Sequence, residues 1–140
     1  MKPELQEALI KDFPNLYKDE LPISAIPHPF SLFYFEVSDG WEPIIRRLSE
    51  KLEPIAAEAY KDPNTVEWYG RPFANQIKEK YGGLRFYTKF TSEEIDKMID
   101  VAEAESIKTC ETCGKPGELR DGGWILTLCD DCHKKNDKNV

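Results

Sequence analysis

Four cysteines carry the clearest chemistry in the chain. Cys110-Glu111-Thr112-Cys113 and Cys129-Asp130-Asp131-Cys132 are separated by fifteen residues, the spacing C-x2-C-x15-C-x2-C. Two residues between thiols let each pair turn and aim both sulfurs at one ion, and two such knuckles complete the tetrahedron that zinc favours. Gly114, directly after Cys113, suits the positive φ that closes a knuckle. Four thiolates leave no coordination position for water, so the expected zinc is structural and not catalytic. A disulfide framework is the competing reading, disfavoured by the absence of a secretory stretch and by a reducing cytosol. A redox dithiol would need only one of the pairs. His133, next to Cys132, is able to replace a thiolate, although the cysteines already fill the shell. Lys108, Lys115, Lys134 and Lys135 would partly offset the negative metal-thiolate centre.

A second group of residues suits anion recognition. Arg46, Arg47, Arg71, Lys78, Lys80 and Arg85 can pair with phosphates, while Trp68, Tyr69, Tyr81 or Tyr87 can stack on a base. The ordinary alternative is that such aromatics are core or rim and that such cations are solvated beside acids. Paired acids, Glu93-Glu94 and Asp130-Asp131, can bind metal in a nuclease or hydrolase, yet acids at helix starts also favour the helix dipole. No Gly-rich phosphate loop, H-E-x-x-H signature or G-x-S-x-G elbow occurs. The run Leu128 to Lys135 superficially resembles the metal knuckle of HNH nucleases. Those enzymes need a catalytic histidine pair in a ββα unit, and this chain has only His28 and His133.

Composition bounds these readings. The 140 residues are 40% apolar, 11% aromatic and 32% charged, enough large side chains for one core and too ordered a composition for wholesale disorder. The 26 acidic and 19 basic residues give a net charge of -7, whose averaged field repels phosphate backbones and argues against general nucleic-acid coating. The excess is uneven: residues up to Ile107 hold 20 acids and 13 bases, and Lys108 onward holds six of each. Apolar runs are far shorter than the roughly 20 residues of a membrane helix. The expected address is therefore the cytoplasm, with no membrane association.

The elements that must position the thiols follow from periodicity. Leu5, Leu9, Ile10 and Phe13 predict a first helix ended by Pro14. Leu21 to Phe30 holds three prolines and reads as extended, with His28 a loop residue, followed by a strand over Ser31 to Val37. Ser38-Asp39-Gly40 predicts a turn that caps a helix carrying Ile44, Ile45, Leu48 and Leu52, which Pro54 should break or kink. Val66 to Tyr69 reads as a short extended piece. Phe73, Ile77 and Tyr81 recur every four residues, predicting a short helix stopped by Gly82-Gly83. Leu84 to Phe90 alternates as a strand, and Thr91 with Glu94 forms a capping box for a helix presenting Ile95, Met98, Ile99, Ala102 and Ile107. Gly117 to Arg120 and Trp124 to Leu128 predict a hairpin around Asp121-Gly122-Gly123. Trp124 is expected to pack that hairpin on the knuckles, leaving Arg120 as the candidate for contact with a partner.

The expected fold is thus α+β, a small antiparallel sheet packed with helices. The main body spans 1–107, and a treble-clef-like or ribbon-like zinc module, 108–140, packs against it because no flexible linker separates them. Lys78-Glu79-Lys80-Tyr81-Gly82-Gly83-Leu84-Arg85-Phe86-Tyr87, the acidic helix before Cys110, and Cys110-x-x-Cys113-Gly114-x-Pro116-Gly117 with Gly122-Gly123-Trp124 together resemble a family of small, largely uncharacterised proteins of bacteriophages, prophages and bacteria. The likeness spans roughly Gly40 to Cys132. It implies an accessory viral product that blunts a host defence, and transfers no activity. Three functions follow: a noncatalytic zinc-stabilised protein that docks on a host protein, a protein that sequesters a signalling nucleotide, and a metal-dependent nuclease or hydrolase.

Overall fold

The computed structural model describes residues 1–17, 35–62 and 72–137. Residues 31–34 of the predicted strand, the proline-rich stretch with His28, and Trp68, Tyr69 and Arg71 lie outside the described residues. The chain is α+β: helices α1 (Pro3–Asp12), α2 (Glu42–Lys61), α3 (Glu93–Ser106) and α4 (Asp130–Asp137), with strands β1 (Phe35–Glu36), β2 (Ala74–Lys80), β3 (Gly83–Thr88), β4 (Glu118–Gly122) and β5 (Trp124–Leu128). Among the described residues, β1, β2 and β3 form one sheet in that order, and β4 and β5 form a separate hairpin. The larger sheet is mixed: β1 runs parallel to β2, whereas β2 and β3 are antiparallel. None of the described helices is long and apolar enough to cross a membrane.

Burial follows the expected faces in most elements. Ile44, Ile45, Leu48 and Leu52 of α2 and Ile95, Ile99 and Ala102 of α3 are buried with Leu9, Phe13, Trp41, Ile77, Leu84 and Phe86 in one apolar cluster. Strand alternation places Ile77 opposite Phe86 on the core side and Lys78 opposite Arg85 on the other. Pro54 does not break α2, which runs on to Lys61. Pro54 removes an N–H that would serve the Glu50 carbonyl, but both residues are exposed, so water can satisfy that oxygen.

Four local expectations are corrected. The segment predicted as a helix around Ile77 is strand β2, because residues four apart also share one face of a strand, and of its large side chains only that of Ile77 is buried. Tyr81 and Gly82, with φ of 54° and 79°, form the two-residue turn that joins β2 to β3, and Lys80 pairs with Gly83 across it. The cap of α3 is Ser92, whose Oγ accepts the Ile95 N–H at 3.2 Å, one residue later than the predicted Thr91 box. Ile107 sits just past the end of α3 and is 39% exposed. Ser38 and Asp39 give α2 no side-chain cap; Asp39 instead accepts the Lys2 N–H at 2.8 Å.

Strand β3 is the edge of the described sheet, and α3 covers its outward N–H groups. Leu84 donates to Ser106 Oγ at 2.9 Å and Phe86 donates to Glu103 Oε1 at 3.2 Å. A helix thus supplies the acceptors that a missing strand would have supplied. Its far end leads directly into the first cysteine pair.

Candidate metal centre

The knuckle after α3 is built by backbone hydrogen bonds. Cys110 donates to the Lys115 carbonyl at 2.7 Å, Gly114 donates to the Cys110 carbonyl at 2.9 Å, and Gly117 donates to the Lys108 carbonyl at 2.9 Å. Gly114 has the positive φ, 83°, that the sequence predicts at this corner. The hairpin β4–β5 then returns the chain, with Glu118 opposite Leu128 and Gly122 opposite Trp124. Cys129 stands just before α4 and Cys132 lies in its first turn. The Cys132 N–H points to Cys129 Sγ at 3.4 Å, and the His133 N–H donates to the Cys129 carbonyl at 2.9 Å. Knuckle, hairpin and helix, with the second thiol pair at the helix start, correspond to the treble-clef alternative.

The four sulfurs, from Cys110, Cys113, Cys129 and Cys132, all lie within 4.8 Å of one another, and those of Cys113 and Cys129 are 3.6 Å apart. Four sulfurs at about 2.3 Å from a central zinc would be separated by roughly 3.8 Å, so only a small contraction of the group is needed. The donor chemistry also fits. Burial opposes ionisation of Cys110, but backbone hydrogen bonds from Cys129, Cys113 and Thr112 outweigh it and hold its pKa down to about 6. Cys132 is pushed up to about 12, by burial first and then by the adjoining sulfurs of Cys129, Cys110 and Cys113. Crowded thiols resist becoming four anions unless a cation sits among them, and a divalent metal supplies that charge. The ring of His133 is not part of the group; its backbone belongs to the helix start.

Arg120 braces the centre from inside. Its guanidinium donates to the Leu128 carbonyl at 3.1 and 3.0 Å and to Asp130 at 2.8 Å, and it pairs with Glu118 at 3.1 Å. The expectation that Arg120 meets a partner is therefore corrected: its donors are taken up where β5 hands over to α4. The expectation for Trp124 is corrected too. It is 77% exposed at the hairpin tip, and the cluster beneath consists of Cys110, Leu128 and Cys129 with Leu126 and Cys132 against it. The cysteines and Leu128 close this small module without a tryptophan.

Contacts that sequence reasoning missed join the knuckle to the main body. Gly40 donates to the Glu111 carbonyl at 2.9 Å, and buried Trp41 donates through Nε1 to the Thr109 carbonyl at 2.9 Å. Thr127, fully buried, is tied twice to Glu111: its carbonyl accepts the Glu111 N–H at 3.0 Å, and its N–H donates to the Glu111 carboxylate Oε2 at 3.1 Å. Thr127 Oγ1 reaches the Gly82 carbonyl at 2.5 Å, so the β2–β3 turn rests on the metal hairpin. Burial chiefly, helped by Glu79 and Cys110, raises the Glu111 carboxyl to about 7 against the opposing Thr127 N–H. The sequence signal for these joints was limited to Gly40 and Gly82 as glycines in turns.

The residues expected to hold a nucleotide divide. Arg46 is tied to Asp12 and Glu42, both at 2.8 Å, and lies over Phe13; Arg47 pairs with Glu105. Both are spent on helix contacts. Lys78, Arg85 and Tyr87 instead project from the outward side of the β2–β3 sheet, with Lys80 and Tyr81 at its end. No known protein family, curated protein or solved structure matches the chain.

Proposed function

We propose that the chain is a noncatalytic binding protein that zinc holds in shape and that docks on another protein through the tip of the β4–β5 hairpin. The observation that carries this reading is the 77% exposure of Trp124 beside a saturated four-sulfur site. Tryptophan is favoured at the centre of protein interfaces, where burying its area on a partner supplies much of the affinity. Leu119, 47% exposed, lies on the other face of the hairpin beside Thr127 and Gly82 and is not part of this tip. A β-carbon on Gly122 or Gly123 would have no heavy atom within 4 Å, so the tip stands clear of the body. Thiolates that fill the metal's coordination shell leave it no place to bind substrate, which favours scaffolding over catalysis.

The partner class assigned here is a host defence protein met in the cytoplasm of an infected cell, and that part rests on the resemblance to phage-encoded proteins. The test uses the zinc-loaded full chain as bait in host lysate, beside Trp124→Ser. The reading expects a specific host protein captured by the parent and lost from the variant, with zinc content and Tm unchanged. Equal capture by the variant, or no captured protein, overturns it.

A further inference from the structure

We infer that the outward face of the β2–β3 sheet binds a short single-stranded oligonucleotide, its phosphates on Lys78, Lys80 and Arg85 and its bases on Tyr87 and Tyr81. The inference concerns a different surface from the hairpin tip and stands without it. Strand register sets the face: Lys78 is opposite Arg85 and Gln76 is opposite Tyr87, while Ile77 and Phe86 point the other way into the core. From the Gln76–Tyr87 row to Tyr81 the strip is five residues, roughly 17 Å at about 3.3 Å per residue.

Charge complementarity argues for a polyanion. The net charge of -7 opposes polyanions on average, and this strip is a local exception: the other described arginines, Arg46, Arg47 and Arg120, are paired with carboxylates. Among the described residues, no carboxylate lies within ion-pair distance of Lys78, Lys80 or Arg85. Glu36 adjoins Lys78 across β1, Glu103 feels the charge of Arg85 without pairing to it, and one Arg85 nitrogen donates to the Leu84 carbonyl at 3.0 Å, which leaves its other donors for a phosphate. Each tyrosine has a lysine at hand: Lys78 Nζ is 5.8 Å from the Tyr87 ring centre and Lys80 Nζ is 5.7 Å from that of Tyr81. Alternating cations and aromatic faces on an open sheet is the arrangement that holds unpaired bases with little regard to sequence.

The turn adds an independent observation. Tyr81 has φ of 54°, a region that a bulky side chain enters at a cost and where Asn or Gly is at home, and its ring is 69% exposed. Among the described residues the tyrosine side chain has no partner beyond the Lys80 contact, and its exposed ring is placed to stack. Three cations are too few to coat a duplex, and among the described residues the strip lacks the enclosing walls of a mononucleotide pocket. An acidic peptide would use the cations and leave the tyrosines idle.

The test is fluorescence anisotropy of the zinc-loaded full chain with a labelled oligouridylate of about eight nucleotides. Affinity should fall with salt at a log–log slope near -2, about 0.7 per phosphate-binding cation, and Lys78→Ala should reduce that slope by about 0.7. Tyr87→Ala should weaken binding by about fivefold or more. Tyr81→Asn should do the same while keeping or raising Tm, which separates stacking from folding. Trp124→Ser should bind the oligonucleotide as the parent does. Salt-independent or absent binding, unchanged affinity in the Tyr81 and Tyr87 variants, or equal competition by ATP or polyglutamate overturns the inference.

Discussion

The α-carbon of Gly40 is pressed against the backbone of Cys110. A β-carbon at Gly40 would lie 2.2 Å from the Cys110 carbonyl oxygen and 2.6 Å from the Glu111 carbonyl carbon. Backbone cannot move aside as a flexible side chain can. Gly40→Ala is therefore expected to lower stability by about 3 kcal/mol or more, and to lower zinc affinity with it, because the knuckle and the turn before α2 must separate. Thermal unfolding with and without added zinc checks this; an unchanged Tm would refute the contact.

Trp41 and Trp124 are expected to behave oppositely. Trp41 is fully buried and bonded to Thr109, so Trp41→Ala should cost about 3–5 kcal/mol. Trp124→Ala, at the exposed tip, should change stability by no more than about 0.5 kcal/mol. Denaturant titration of the two variants distinguishes them.

The edge of β3 depends on α3. Ser106→Ala leaves the buried Leu84 N–H without its acceptor and should cost about 1–3 kcal/mol. Faster hydrogen exchange at Leu84 is the local readout, since exchange reports opening at that amide.

Glu103 gives this edge a pH dependence of known sign. Burial holds its carboxyl above the ordinary value, against the opposing influence of the Phe86 N–H and Arg85. The folded state thus favours the protonated form more than the unfolded state does. Its contribution is fully present below the ordinary carboxylate pKa and is lost as pH rises through the elevated folded one. Glu103→Gln keeps an acceptor for Phe86 without the charge, so its stability relative to the parent should rise across that window. A constant difference in Tm from acid to neutral pH would contradict this.

What the sequence could show depended on how local the cause was. The cysteine spacing and the positive φ of Gly114 follow from a few neighbouring residues, and the faces of α2 and α3 follow from long periodic runs. The stretch around Ile77 is ambiguous because Phe73, Ile77 and Tyr81, four residues apart, fit a helix face and a strand face alike. The joints from Gly40 and Trp41 to the knuckle, and from Thr127 to Gly82, link segments far apart in the chain, and no local pattern encodes such pairings. Trp124 was assigned to packing on size alone, although Leu128 and the thiols already fill that space. The residue types of Lys78, Arg85 and Tyr87 suggest a common role, but their shared face follows only from β2 being a strand, and ion pairs to Asp12, Glu42 and Glu105 set Arg46 and Arg47 apart.

Chelation should uncouple the module from the rest. Structural zinc sites of this kind contribute on the order of 10 kcal/mol to folding, so removing the metal under reducing conditions should unfold β4, β5 and α4 and free the Thr127 contact to Gly82. Amide exchange in the chelated protein checks it, with protection lost from Cys110 to Cys132.

X-ray absorption at the zinc edge of the reduced, purified protein addresses the saturated centre most directly. One zinc per chain with four sulfurs at about 2.3 Å and no lighter first-shell neighbour is the expected result. A nitrogen or oxygen ligand in that shell, or protein that folds with no metal bound, would contradict a closed structural site.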